Sequence, residues 1–193
     1  MRFIGVYDYT VILTYLSLFS AFGGMTFASR GMFNGAILCL LGSGICDAFD
    51  GTVARTKKNR TEDEKAFGIQ LDSLVDVVSF GLFPAFLCWC LGVKGLTGLV
   101  ILFFYCTAGV IRLAFFNVLE GKRQQTEGGC NKVYRGLPIT SISIVFPLVW
   151  LLRPVLNPAA FLLVLHLMLA VVGFLFVLDI PIKKPNIGKL LHK

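Results

Sequence analysis

Residues 46–76 read CDAFDGTVARTKKNRTEDEKAFGIQLDSLVD. Four aspartates, Asp47, Asp50, Asp72 and Asp76, stand at the ends of two otherwise apolar runs. Gly51, Ala54 and Arg55 follow the first pair, and Gly68 precedes the second. Residues three and four apart share a helix face. Asp47, Asp50, Gly51 and Ala54 therefore line one side of the helix that ends here, and Gly68, Asp72 and Asp76 one side of the helix that begins. The connecting loop is short, so the two faces can meet. Acidic side chains at membrane depth are costly and rare without a partner or a task. Four carboxylates in that space repel unless cations neutralise them. Oxygen-only ligands favour hard ions such as Mg²⁺, Mn²⁺ or Ca²⁺. The small residues leave a groove one side chain deep beside the carboxylates, although glycine and alanine also serve close helix packing.

Outward from this segment the chain is apolar. Of 193 residues 56% are hydrophobic and only 15% charged, against about a quarter charged in soluble domains, and the mean hydropathy is +0.78. A membrane-spanning helix needs roughly 20 apolar residues. Six segments qualify, at about 10–29, 33–54, 66–91, 95–118, 137–153 and 158–178. They predict an all-α integral membrane protein of six transmembrane helices, with one domain over residues 1–193 and no room for a soluble domain in the loops. The first segment is too long for a signal-peptide core.

The cations sort by side. With the N-terminus cytoplasmic, the inward loops hold Arg55, Lys57, Lys58, Arg60 and Lys65, then Lys122, Arg123, Lys132 and Arg135, and the tail adds Lys183, Lys184, Lys189 and Lys193. The outward loops hold only Arg30, Lys94 and Arg153. This asymmetry sets both termini, and the aspartates, on the cytoplasmic side of the cell membrane. The net charge of +7 reads as topology plus attraction to anionic lipid. Nucleic acid is the weaker reading, since no basic helix is interleaved with exposed aromatics. Five of the six cysteines lie in apolar segments as small hydrophobes, and Cys88-Trp-Cys90 is not a zinc spacing. His166 and His192 have no partner pattern, and Asp8 and Asp179 read as solvated helix ends.

The pattern Asp47-x-x-Asp50-Gly51-x-x-Ala54-Arg55, then Gly68-x-x-x-Asp72-x-x-x-Asp76, resembles the signature of the CDP-alcohol phosphotransferases. Three further stretches resemble the phosphatidylserine synthase branch: Leu71 to Asp76 running into Ser79-Phe80-Gly81 and Pro84, Arg112 to Asn117, and Tyr134-Arg135-Gly136-Leu137-Pro138. With the first helix included, the similarity covers most of the chain. It implies six transmembrane helices, commonly in a homodimer, and displacement of CMP from CDP-diacylglycerol by the hydroxyl of L-serine. It implies that Asp47, Asp50, Asp72 and Asp76 hold the metal. It also implies that Gly51, Ala54 and Gly68 make room for the cytidine nucleotide, with Arg55 at its edge. Thr14 and Ser17 stand where family members often carry a threonine and an asparagine. The twelve residues between Arg55 and Gly68 exceed the eight or nine of many members.

Attack at phosphorus in a diphosphate builds negative charge that two divalent cations, Mg²⁺ or Mn²⁺, can clamp. A serine hydroxyl is a poor nucleophile, so a positioned base helps. Asp76, the deepest carboxylate on its helix, is the candidate for that role. Serine brings a carboxylate, which arginine binds bidentately. Arg112 and Arg135 are candidates, each also readable as a membrane-flanking anchor, and Asn117 can add a hydrogen bond. No serine, cysteine or histidine is placed as a nucleophile, which favours direct attack. Within the family the alternative acceptors are glycerol phosphate, inositol phosphate or choline. Outside it, an ion transporter would need polar residues continuing across the bilayer, and a scaffold leaves the aspartates without a task.

Overall fold

The computed structural model describes residues 5–54, 56–57, 59–125, 133–179 and 181–183. Asp8 opens the fold. Its carboxylate accepts hydrogen bonds from the backbone N–H of Thr10 at 2.8 Å and from the Thr10 hydroxyl, starting a 3-10 turn over Tyr9–Val11. Helix α1 (Ile12–Ser29) follows, then α2 (Phe33–Ala54). Their contact is made of small residues: Ala21, Ala28 and Ala36 are buried, and a Cβ at Gly24 would lie 2.9 Å from Cys39 Cβ and 2.2 Å from the Phe83 ring. Membrane helices gain no hydrophobic drive against lipid and depend on such close approach.

Helix α3 (Glu62–Asp76) starts four residues before the expected position of 66. The reason is a capping box: the Thr61 hydroxyl accepts from Glu64 N at 3.1 Å, and the Glu64 carboxylate accepts from Thr61 N at 3.0 Å. Directly after Asp76 the chain widens into a π-helical segment, Val77–Leu82, before α4 (Phe83–Cys90). Wide turns of this kind gather at functional sites. Here the segment is held by neighbours, since Tyr105 donates to Phe80 O at 2.6 Å and Ser17 to the Ser79 hydroxyl at 3.4 Å. Helix α5 (Gly95–Gln125) runs longer than the expected 95–118.

The fifth expected segment, 137–153, is the main departure. It forms a 3-10 turn, Ile139–Ser141, and a short α6 (Ile142–Trp150). Pro138 precedes it and Pro147 interrupts its hydrogen bonding. Helix α7 (Pro158–Val177) is capped by Asn157, whose side chain accepts from Ala160 N. Two short strands, β1 (Val133–Arg135) and β2 (Pro181–Lys183), pair antiparallel with Tyr134 opposite Ile182.

Among the described residues, five helical stretches are long and apolar enough to cross a membrane: Tyr9–Ser29, Phe33–Ala54, Glu62–Cys90, Gly95–Gly121 and Pro158–Val177. Ile139–Trp150 is apolar but shorter. The chain is an all-helical, multi-pass membrane protein, with one small strand pair among the described residues. Its core of Leu40, Phe80, Phe83, Tyr105, Phe146 and Leu165 is fully buried between the helices.

Candidate active site

The site forms where the C-terminal end of α2 meets α3. Asp47, Asp50 and Asp72 each offer a carboxylate oxygen, and these atoms all lie within 4.8 Å of one another. Asp76, one turn beyond Asp72, is buried at 7% exposure. Its carboxyl is within hydrogen-bonding reach of Asp47, as that of Asp72 is of Asp50. The donor set is wholly carboxylate and half-buried, which fits a hard divalent cation and not a soft one. Repulsion among these groups is the driving force for taking up positive charge.

Two cavities meet at this cluster, and Asp50 and Asp72 line both. The first is bounded by Thr10 of the 3-10 turn and Thr14 of α1, Asp50, Gly51 and Ala54 of α2, and Gly68, Ile69 and Asp72 of α3. Arg60 and Lys65 close it. Thr14 also donates its hydroxyl to Asp50 Oδ2 at 3.3 Å. The sequence-predicted Gly51, Ala54, Gly68 and Thr14 thus come together here. Ser17 lies elsewhere: it is buried in the helix contact, bonded to Ser43 O at 3.3 Å and accepting from the Ser43 side only through its own backbone carbonyl, at 3.0 Å. Arg55 lies outside the described residues.

The second cavity, open to solvent, is lined by all four aspartates, by Arg112, Phe116, Asn117 and Glu120 of α5, and by Pro138, Ile139 and Thr140. Arg112 is buried at 7% exposure. Its guanidinium stacks 4.6 Å from the Phe116 ring centre and donates through Nη1 to Phe176 O at 3.3 Å. Asn117 accepts from the Ser73 hydroxyl at 2.8 Å and donates to Gln70 Oε1 at 3.3 Å, which ties α5 to α3. Gly136 packs against Arg112 so tightly that a Cβ there would lie 2.9 Å from Nη1. Arg135 lies in β1, and its side chain falls outside the described set.

Thr10, Glu120 and Thr140 also line these cavities, and none of them carries a spacing signal of its own in the sequence. In the sequence, Arg60 and Lys65 read only as topological charges. The Thr61-x-x-Glu64 pattern held the clue: it starts α3 early, directly after Arg60, whose guanidinium lies over Gly68.

Ahead of α3, Lys57 donates to Asp8 at 2.8 Å and to Glu64 at 3.0 Å, joining the N-terminal segment to α3. Lys57 and Thr10 together hold the Asp8 carboxyl well down, at about 2. The same two carboxylates push the Lys57 ammonium above its ordinary value.

A family model described as CDP-alcohol phosphatidyltransferase matches residues 9–177. A CDP-diacylglycerol–serine O-phosphatidyltransferase of Saccharomyces cerevisiae is 36% identical over 57% of this chain and 40% of its own length. An archaetidylserine synthase of Methanothermobacter thermautotrophicus is 33% identical over 69% of this chain and 54% of its own. A CDP-diacylglycerol–serine O-phosphatidyltransferase of Helicobacter pylori is 30% identical over 76% of this chain and 59% of its own. The chain spans about half the length of these relatives.

Proposed function

The chain belongs to the CDP-alcohol phosphatidyltransferase family, and from that premise we propose that it transfers a phosphatidyl group from CDP-diacylglycerol to L-serine, giving phosphatidylserine and CMP. One observation carries the reading: a carboxylate cluster stands between two cavities of different chemistry. The groove beside Gly51, Ala54 and Gly68 combines small residues with two cations, which suits a nucleotide and its phosphate. The cavity beside Arg112 and Asn117 combines a buried guanidinium with amide and hydroxyl groups, which suits a small zwitterion. The serine-specific names of the relatives support the same acceptor.

In the reaction, the serine oxygen bonds to the phosphatidyl phosphorus. The bond from that phosphorus to the bridging oxygen breaks, and CMP departs with the electron pair. Asp47, Asp50 and Asp72 would hold divalent cations, two Mg²⁺ or Mn²⁺ ions, which supply charge neutralisation on the diphosphate. Asp76, buried and facing the acceptor cavity, takes the serine proton. Arg112 fixes the serine carboxylate in a forked pair. Its stacking on Phe116 and its bond to Phe176 O hold the guanidinium in place beforehand, so little order is lost on binding. Asn117, already braced between Ser73 and Gln70, lines the same wall. The site faces the cytoplasm, where serine and the basic loops are.

The test is CMP release by purified protein in mixed micelles of CDP-diacylglycerol with Mg²⁺ or Mn²⁺. Serine, glycerol phosphate, inositol phosphate and choline are offered in turn. Serine alone should drive release. Release driven by a phosphorylated acceptor would keep the family and overturn the acceptor.

A further inference from the structure

We propose that Arg60 binds the nucleotide-side phosphate of the CDP-linked donor, the one that leaves as CMP. The inference rests on the CDP-lipid reading above and adds a residue from the loop before α3. Arg60 precedes the Thr61 cap, and its guanidinium folds back along the first turns of α3. Its Nη2 donates to Glu64 O at 3.1 Å. That nitrogen also fills the space over Gly68, where a Cβ would lie 2.7 Å away. Gly68 is therefore small for a reason visible in the fold: it admits this guanidinium to the groove wall.

The cation is not consumed by its surroundings. A guanidinium carries five N–H donors. The bond to Glu64 O is the one hydrogen bond that Arg60 makes among the described residues, and its Nε–H is buried with no acceptor. A buried donor without an acceptor is costly. Among the described residues no ion pair joins Arg60 to Asp50 or Asp72, although all three line the same groove. Lys65, the other cation of the groove, is paired with Glu62 at 2.7 Å on the exposed side. Among the described residues of this groove, Arg60 is thus the half-buried positive charge left to meet an anion. The groove places that anion between the guanidinium and the carboxylates with their cations, which is where a phosphate joining the nucleotide to the reacting centre must sit. Arginine suits the task because its planar fork matches phosphate oxygens.

Negative charge on the departing phosphate grows as the bond to the phosphatidyl phosphorus breaks. A guanidinium fixed at that phosphate therefore aids both donor binding and departure of CMP. The test titrates CMP, CDP and cytidine onto the detergent-solubilised full chain with Mn²⁺ present, and follows binding directly by calorimetry. Arg60→Gln should weaken CMP and CDP by about tenfold, the order expected for a charge-assisted hydrogen bond. Cytidine, which has no phosphate, should be unaffected. Arg60→Lys should fall between the two. Gly68→Ala should weaken CMP in the same direction by displacing the guanidinium while its charge remains. Thermal melting of each variant checks the fold. In turnover, Arg60→Gln should raise the KM for CDP-diacylglycerol and leave the KM for serine within twofold. CMP affinity unchanged in a folded Arg60→Gln protein would overturn the proposal, and so would an equal loss for cytidine. Looser binding to anionic vesicles with nucleotide affinity intact would mark Arg60 as a membrane anchor and sink it too. Failure of the wild-type protein itself to bind CMP would overturn the donor reading underneath.

Discussion

Replacing Gly136 with alanine tests how the acceptor cavity is held. Gly136 has φ of +67°, a left-handed conformation that costs an L-residue with a Cβ about 1–2 kcal/mol. The new Cβ would also lie 2.8 Å from Leu178 O, 2.9 Å from Arg112 Nη1 and 3.3 Å from Leu175 O. Two of these neighbours are backbone of the α7 end and cannot move cheaply. The guanidinium is the part that can give way, and it does so by leaving its bond to Phe176 O. The backbone strain alone predicts a melting temperature lower by roughly 2–8 °C for a chain of this size. Displacing a guanidinium that forks a carboxylate should cost at least ~1.4 kcal/mol of serine binding, which is tenfold in KM. The assay is steady-state turnover with serine and CDP-diacylglycerol varied in turn, beside thermal unfolding in detergent. The serine KM should rise tenfold or more while the CDP-diacylglycerol KM stays within twofold. Gly92→Ala is the control. Gly92 also has a positive φ, +112°, but its nearest neighbour is Leu162 at 3.8 Å, at a distance from the acceptor cavity. It should lose stability and keep the wild-type serine KM. A Gly136→Ala protein that melts lower but retains its serine KM would refute the link between Gly136, Arg112 and the acceptor.

Other perturbations have equally definite outcomes. Asp76→Asn should reduce turnover by at least 10² while CMP still binds in calorimetry; near-normal turnover would remove Asp76 as the base. Asp72→Asn takes one carboxylate from the three-way cluster and should abolish saturable Mn²⁺ binding measured by electron paramagnetic resonance. Gly44→Ala would put a Cβ 2.2 Å from Ser143 Oγ at the contact of α2 with α6, and should destabilise by about 1–3 kcal/mol in denaturant unfolding. The Asp8–Lys57 pair sets a pH window. Because the Asp8 carboxyl is depressed to about 2 from an ordinary 3.8, its contribution is complete above the ordinary value and is lost as pH falls through 2. In Lys57→Met the Asp8 titration followed by carbon NMR should move back up toward 3.8; an unmoved titration would mean that Thr10 alone sets it.

The aspartate geometry was legible because helical period alone puts Asp47 with Asp50 and Asp72 with Asp76, and a short loop leaves the two faces nowhere else to go. Gly51, Ala54, Gly68 and Thr14 followed from the same period and do line one groove. Ser17 is a different matter. Period places it one turn from Thr14, but its depth between α1 and α2 depends on small-residue packing that hydropathy does not encode. The boundaries erred where local chemistry overrode hydropathy. Thr61 and Glu64 start α3 before the apolar run begins, and Pro138 and Pro147 shorten the helix expected over 137–153. The π-helical turn after Asp76 left no mark in the pattern, since Ser79 and Gly81 are single small residues that an apolar helix carries equally well. Arg60 was hidden for a related reason: a cation in a cytoplasmic loop reads as topology until the fold of α3 brings it over Gly68.

The most direct test of the account is to incubate the purified chain with CDP-diacylglycerol, Mn²⁺ and radiolabelled L-serine, and to measure labelled lipid and CMP together. The account predicts labelled phosphatidylserine and CMP in equal amounts, both absent without the metal and both lost in Asp76→Asn. CMP formed without labelled lipid, or labelled lipid formed without the metal, would contradict it.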